Sequence, residues 1–266
     1  MTIRVCVAGA TGWAGSSLTR AIIAAEDMEL VGAVSRSHAA RPLGEALGMP
    51  GVHLLVSGAV EEALLAQPDV FVEYTKPGVA RQNVLRALQA GSHVVIGTSG
   101  LDDDDYAQIA GLAEAKERGV LAVGNFALTV VLLLKFAEMA AKHIPHWEIL
   151  DYAHSAKVDA PSGTARELSY RLGRVRQSAL EVPLHEVQGT PETRGARLNG
   201  SQVHAIRLPG YVISAEVIFG MEDQKLILRH ESGSSSEPYV DGAMLAIRKV
   251  STFTGLRRGL DTVMDF

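Results

Sequence analysis

The sequence predicts an α/β chain in two parts: a doubly wound parallel sheet first, then an α+β region built on a mixed sheet. Three observations carry this. Short β-rich runs alternate with helical stretches through the first half. A glycine-bearing turn joins the first strand run to the first helix run. Past Phe126 the alternation stops, and three strand-like runs separated by turn residues take its place.

The first-half strand runs are Ile3 to Ala8, Leu30 to Val34, Val52 to Val56, Val70 to Tyr74, His93 to Ile96 and Val120 to Val123. Helical stretches between them include Ser16 to Ala25, Ala80 to Ala90 and Asp105 to Lys116. The acidic run at 102–105 reads as the first turn of that last helix, where carboxylates oppose the positive dipole end. A long helix is expected from Val130 to about His143, then a strand through "EILDYAH", then a helix beginning near Ser162. Residues 183–201 read as an exposed loop. Strands follow at Val203 to Arg207, Tyr211 to Phe219 and Gln224 to His230, with hairpin breaks at "LPG" and "GMED". The tail from Pro238 returns to helix.

Composition narrows the function. The chain has 266 residues, 47% of them hydrophobic, enough for one large or two modest cores. A net charge of -5 without a basic block gives nucleic acid no electrostatic footing. The most apolar stretch, "FALTVVLLLK", is shorter than the roughly 20 residues a bilayer span needs, and no signal peptide is read. A soluble cytoplasmic protein is expected, with no membrane partner and no metal. Cys6, inside "IRVCVAG", reads as a buried strand thiol.

"VCVAGATGWAG" runs strand, then Gly9, Gly12 and Gly15, then helix. Such glycines let backbone N–H groups approach a pyrophosphate at the helix start. Thr11 stands where the usual dinucleotide fingerprint has its second glycine. The next strand run ends in "GAVSRSHAAR", with Ser35, Arg36 and Ser37 but no acid between Glu29 and Glu45. An arginine flanked by hydroxyls suits a 2′-phosphate, so NADPH is expected over NADH. In "DYAHSAKVDAPSGTA", Ser162 or Thr164 can cap a helix, and the N–H groups at Gly163 and Thr164 can take a carboxylate. Lys157 adds a positive charge and His154 a titratable ring. The same residues also fit an ordinary polar helix start.

These segments resemble the dihydrodipicolinate (4-hydroxy-tetrahydrodipicolinate) reductases of lysine and diaminopimelate biosynthesis, over nearly the whole chain. The likeness runs through the glycine turn, "VEYTKPG" for the family's D-F-T-x-P, "GTSG" at 97–100, "GNF" at 124–126, "KVDAPSGTA", "EVIFG" at 216–220 and "LRHES" at 228–232. The resemblance implies an NADP-binding Rossmann domain at 1–126 and 235–266. It places a substrate-binding and oligomerisation domain at 127–234 that builds a homotetramer. It assigns cofactor contacts to Gly9, Ala10, Thr11, Gly12, Trp13, Ala14, Gly15, Arg36, Gly97, Thr98, Ser99, Asn125 and Phe126. It assigns the substrate to His154, Lys157, Gly163 and Thr164; Ser162 is expected beside them, and Lys157 and His154 are the expected catalytic residues. One departure stands out. The family's paired histidines, the first usually the proton donor or acceptor, become Ala153 and His154 here, and its preceding glutamate becomes Asp151. The expected activity is NAD(P)H-dependent reduction of hydroxytetrahydrodipicolinate to tetrahydrodipicolinate. Alternatives are a divergent reductase of another cyclic imine and a non-catalytic NADPH-binding paralogue.

Overall fold

A computed structural model describes residues 2–266. The chain divides into two compact units, one running to Leu128 and including Ser236–Phe266, the other Thr129–Ser235.

The first unit holds a six-stranded sheet. Its strands are β1 (Ile3–Ala8), β2 (Met28–Val34), β3 (Val70–Glu73), β4 (His93–Ile96), β5 (Gly119–Ala122) and β11 (Gly255–Arg258). The order is β11-β5-β4-β3-β1-β2, and every pairing is parallel. Strands covered on both faces read as continuous apolar runs. Accordingly Cys6, Phe71, Val94, Ile96 and Val120 meet in one buried cluster with Val84 and Leu88. Burial, helped by the Glu73 charge, pushes the Cys6 thiol to about 12, which leaves it an inert core side chain. Around the sheet lie α1 (Trp13–Ala24), the short α2 (Leu43–Leu47) and α3 (Val60–Leu64), α4 (Pro77–Gln89), α5 (Asp103–Ala115) and α8 (Val240–Lys249). At the acidic run, Asp102 caps α5 by accepting from the Asp105 amide at 2.8 Å, and a capping box closes the turn.

Two expectations fail in this unit. Val52 to Val56 forms no strand: Leu55 makes one isolated bridge with Pro42, and Ser57, just beyond the run, makes another with Val34. The tail is not helix alone, since Gly255–Arg258 adds β11 beside β5. That strand is short, and two of its four residues are exposed arginines, so it carries little hydrophobic pattern.

The second unit contains α6 (Leu128–Ala141, its first residue counted with the first unit), β6 (His146–Ala153), α7 (Gly163–Val175), β7 (Ala196–Leu198), β8 (Ser201–Arg207), β9 (Ile213–Met221) and β10 (Gln224–Ser232). The mixed sheet has order β10-β9-β6-β8-β7. Glu222 and Asp223 form the β9–β10 hairpin turn at the expected "GMED" break. The "LPG" break is not a hairpin. β8 pairs parallel with β6 while β9 pairs antiparallel with β6 on its other side, so β6 separates them. The expected loop at 183–201 holds two single-turn helices and the strand β7, which pairs back on β8. The apolar run at 126–135 enters α6, and among the described residues no helix is long and apolar enough to cross a membrane.

Candidate functional site

In a doubly wound sheet, ligands bind outside the carboxyl ends of the strands, where the strand order reverses. Here β1 is flanked by β2 and β3, so the reversal lies at the end of β1. Gly9, the first residue past β1, has φ +87°, and a Cβ there would meet the Tyr74 carbonyl oxygen at 2.3 Å. A Cβ on Gly15 would fall 2.0 Å from the Gly9 oxygen, so both glycines keep α1 close against the turn. No side chain caps α1 and no acid lies in its first turn. Its leading N–H groups and positive dipole end therefore suit an anion.

A cavity of about 340 Å³ opens beside this turn, within the range of small-molecule pockets. It is lined by Gly12, Trp13, Ala14 and Gly15 from the turn, by Gly97, Thr98 and Ser99 after β4, and by Asn125 and Phe126 after β5. These are expected cofactor residues. Tyr74, Thr75, Pro77, Val123, Gly124 and Tyr239 also line it and were not anticipated. Tyr239 comes from the far end of the chain, where Ser236 and Glu237 both bond the Ser17 hydroxyl on α1. Its ring meets Trp13 edge-on at 5.7 Å. The Asn125 carboxamide oxygen accepts from the Ala127 amide, fixing the turn out of β5.

Glu73 underlies the pocket. It is fully buried, and its carboxylate accepts from the Thr75 amide and hydroxyl, from Asn83 Nδ2 at 2.9 Å and from the Thr98 hydroxyl at 3.3 Å. Burial raises its pKa above the ordinary value, against these hydrogen bonds. Two pocket residues, Thr75 and Thr98, thus share one buried acceptor.

The other expected cofactor residues lie elsewhere. Ala10 is fully buried and donates its amide to the Val34 oxygen. Thr11 shares a 2.7 Å hydrogen bond with the Ser35 hydroxyl, and the chain continues through Ser37 to His38. A side chain replaces the fingerprint glycine here to tie the turn to the end of β2. Arg36 is exposed on that same edge. The α1 N-terminus and the cavity together fit a dinucleotide.

In the second unit, His154 leaves β6 exposed, and its Nδ1 accepts from the Ala156 amide at 3.1 Å. A neutral ring then carries its proton on Nε2. Ala153, one residue earlier, is fully buried, so its position offers the site no exposed atom. Lys157 Nζ pairs with Asp159 Oδ1 at 2.7 Å, and that hydrogen bond holds the Asp159 carboxyl below its usual range. Ser162 caps α7 by accepting from the Ala165 amide, which leaves the Gly163 and Thr164 N–H groups outside that bond in an acid-free first turn.

Beneath this loop lies an ion pair the sequence did not announce. Asp151 is fully buried, and its Oδ2 accepts from the Ser162 amide and from Arg207 Nη2, both at 2.7 Å. Arg207 Nη2 also reaches the Asp159 carbonyl at 2.8 Å, and Nη1 donates to the carbonyls of Asp151 and Ile206. The partners are 56 residues apart, and only the parallel β6–β8 register, Ala153 opposite Arg207, brings them together.

Comparison with known proteins agrees with this architecture. Family models described as dihydrodipicolinate reductase, N-terminus and C-terminus, match residues 3–126 and 129–264. A 4-hydroxy-tetrahydrodipicolinate reductase of Desulfitobacterium hafniense is 38% identical over 99% of both chains. One from Moorella thermoacetica is 37% identical over 100% of this chain and 99% of its own. The solved structure of a dipicolinate-bound dihydrodipicolinate reductase from Paenisporosarcina sp. TG-14 superposes with a TM-score of 0.89 at 32% identity, covering 99% of this chain and 100% of that one. An amine dehydrogenase from Mycobacterium smegmatis, at 15% identity and TM-score 0.69 over 100% of this chain and 97% of its own, shares the fold alone. With a glycine turn at the end of β1 in one unit and an acid-free helix start on the Lys157 loop in the other, the chain belongs to the dihydrodipicolinate reductase family.

Proposed function

We propose that the chain reduces 4-hydroxy-tetrahydrodipicolinate to tetrahydrodipicolinate, in lysine and diaminopimelate biosynthesis, using NADPH in preference to NADH. The observation that carries this reading is the loop Lys157 to Thr164. It joins a cation to an acid-free helix start, in a chain alike over its full length to reductases of this name. A bound reduced nicotinamide supplies the hydride. Overall, one hydride and one proton enter the substrate and one water leaves.

The remaining chemistry belongs to the chain. The α1 N-terminus takes the pyrophosphate, and the residues after β4 and β5 wall the nicotinamide end. Arg36 faces the 2′-phosphate, supported by the hydroxyls of Ser35 and Ser37. Gly163, Thr164 and Lys157 hold a substrate carboxylate, the lysine keeping Asp159 as a second partner. His154 Nε2–H donates a hydrogen bond to the substrate. Lys157, whose ammonium sits at the carboxylate site, is the proton source in place of the histidine replaced by Ala153.

Ala153 also favours a second reading: the same fold and cofactor, with another carboxylated cyclic imine as substrate. The units act as an NADP-binding domain and a substrate and oligomerisation domain within a cytoplasmic homotetramer. The edge strand β10, which exposes Leu226 and Ile227, supports assembly through the second unit, and a monomer in analytical ultracentrifugation would contradict it.

The test is turnover by the purified protein with freshly generated hydroxytetrahydrodipicolinate, other cyclic imines in parallel, and NADPH against NADH. One NADPH oxidised per tetrahydrodipicolinate formed is the expected result. Oxidation only with another imine selects the second reading, and none with any imine overturns both. For the coenzyme, Arg36→Ala is expected to weaken NADPH binding about tenfold, one charge-assisted contact, and leave NADH unchanged.

A further inference from the structure

We infer that Arg207 and Asp151 are positioning residues for the substrate loop: one guanidinium fixes the lysine arm and the helix start of the anion pocket relative to each other. The inference rests on the reading of that loop as the substrate site.

The connections form one path. Lys157 Nζ meets Asp159 Oδ1, the Asp159 carbonyl meets Arg207 Nη2, the same Nη2 meets Asp151 Oδ2, and that oxygen takes the Ser162 amide. Ser162 is the N-cap of α7, so its amide direction sets where the Gly163 and Thr164 N–H groups point. Arg207 thus grips the loop midway between its cation and its helix start.

Two features set this pair apart from ordinary sheet stabilisation. Asp151 Oδ1 and Arg207 Nε are buried without a hydrogen-bond partner among the described residues. Nature retains such imperfect buried pairs at a penalty, since apolar replacements are often as stable or more so. In addition, the partners outside strands β6 and β8 are Asp159 and Ser162, both on the segment that carries the proposed anion site. The charges offset each other, so the pair adds little net attraction for an anion. Its contribution is the planar, several-pronged geometry of a guanidinium, which an ammonium cannot reproduce.

Arg207→Lys keeps the charge and removes the fork, and displacement of a bound reactant by about 1 Å can lower turnover roughly 100-fold. The measurements are dipicolinate affinity by calorimetry, KM and kcat with hydroxytetrahydrodipicolinate, NADPH affinity, and melting temperature. We expect dipicolinate affinity to fall about tenfold or more and KM to rise in step, with NADPH affinity within about twofold of wild type. Folded Arg207→Lys protein with wild-type dipicolinate affinity and KM overturns the inference, whatever its melting temperature. Should that variant not fold, the isosteric Asp151→Asn decides: loss of dipicolinate affinity supports the inference and retention overturns it. Failure of the underlying reading looks different, because wild-type protein would then neither bind dipicolinate nor turn over.

Discussion

The proposed cofactor pocket and the proposed substrate loop are built from different material. The pocket is shaped by backbone: glycines at 9 and 15 that tolerate no Cβ, an uncapped helix start, and strand ends resting on a fully buried core. The loop is shaped by side-chain charge at partly exposed positions, the Lys157 and Asp159 side chains being 31% and 38% exposed, held from below by one buried ion pair. Three helix starts show the principle. α5 fills its own N-terminus with Asp102 and three more aspartates, whereas α1 and α7 leave acids out of theirs. An N-terminus that supplies its own carboxylates has no need of a ligand's. The lesson is that damage should travel differently through the two regions: collision and lost cofactor binding in one, lost substrate affinity without lost stability in the exposed part of the other.

The largest effect is expected at the loop's foundation. Asp151→Ala strands the Arg207 charge, so stability should fall by about 3–5 kcal/mol in denaturant titration. A loss under about 1 kcal/mol would mean the pair is not what supports the loop. Next, Gly15→Ala drives a Cβ into the Gly9 oxygen, and the turn must open to admit it. NADPH affinity should drop about 100-fold with dipicolinate affinity untouched, equivalent to overpacking strain of about 2.7 kcal/mol. Equal losses for both ligands would erase the distinction between the regions.

The smallest effect concerns Glu73. Burial raises this carboxyl above its ordinary 4.5, so its contribution to stability is full below that value and declines as pH rises through the raised one. Glu73→Gln removes the titration but presents an amide to donors such as Asn83. Its loss, about 1 kcal/mol, should therefore be larger near about pH 5 than near about pH 8 in paired unfolding curves. A loss that grows with pH would contradict the assigned shift.

How much of this was legible in the sequence depends on whether a feature is local. The glycine turn, the helix cap at Ser162 or Thr164, the acidic α5 start and the strand His93–Ile96 follow from neighbouring residues, and the structure has each of them, with Ser162 as the cap. β11 escaped because four residues with two exposed arginines carry no pattern. The supposed "LPG" hairpin failed because nothing local reveals that β6 lies between β8 and β9. Tyr74, Thr75 and Tyr239 were missed in the pocket because parallel strand ends and a returning tail assemble it. Arg207 gave no local sign at all, its partner being 56 residues away. Resemblance exposed the loss at Ala153, and only the fold showed that position to be sealed inside β6.

The most direct test of the contrast is Lys157→Met, read as kcat/KM for hydroxytetrahydrodipicolinate alongside NADPH affinity on the same preparation. The account predicts that kcat/KM falls about 100-fold or more, while NADPH affinity stays within about twofold and stability within about 0.5 kcal/mol. A kcat/KM within about threefold of wild type, or NADPH affinity falling in parallel, would contradict it.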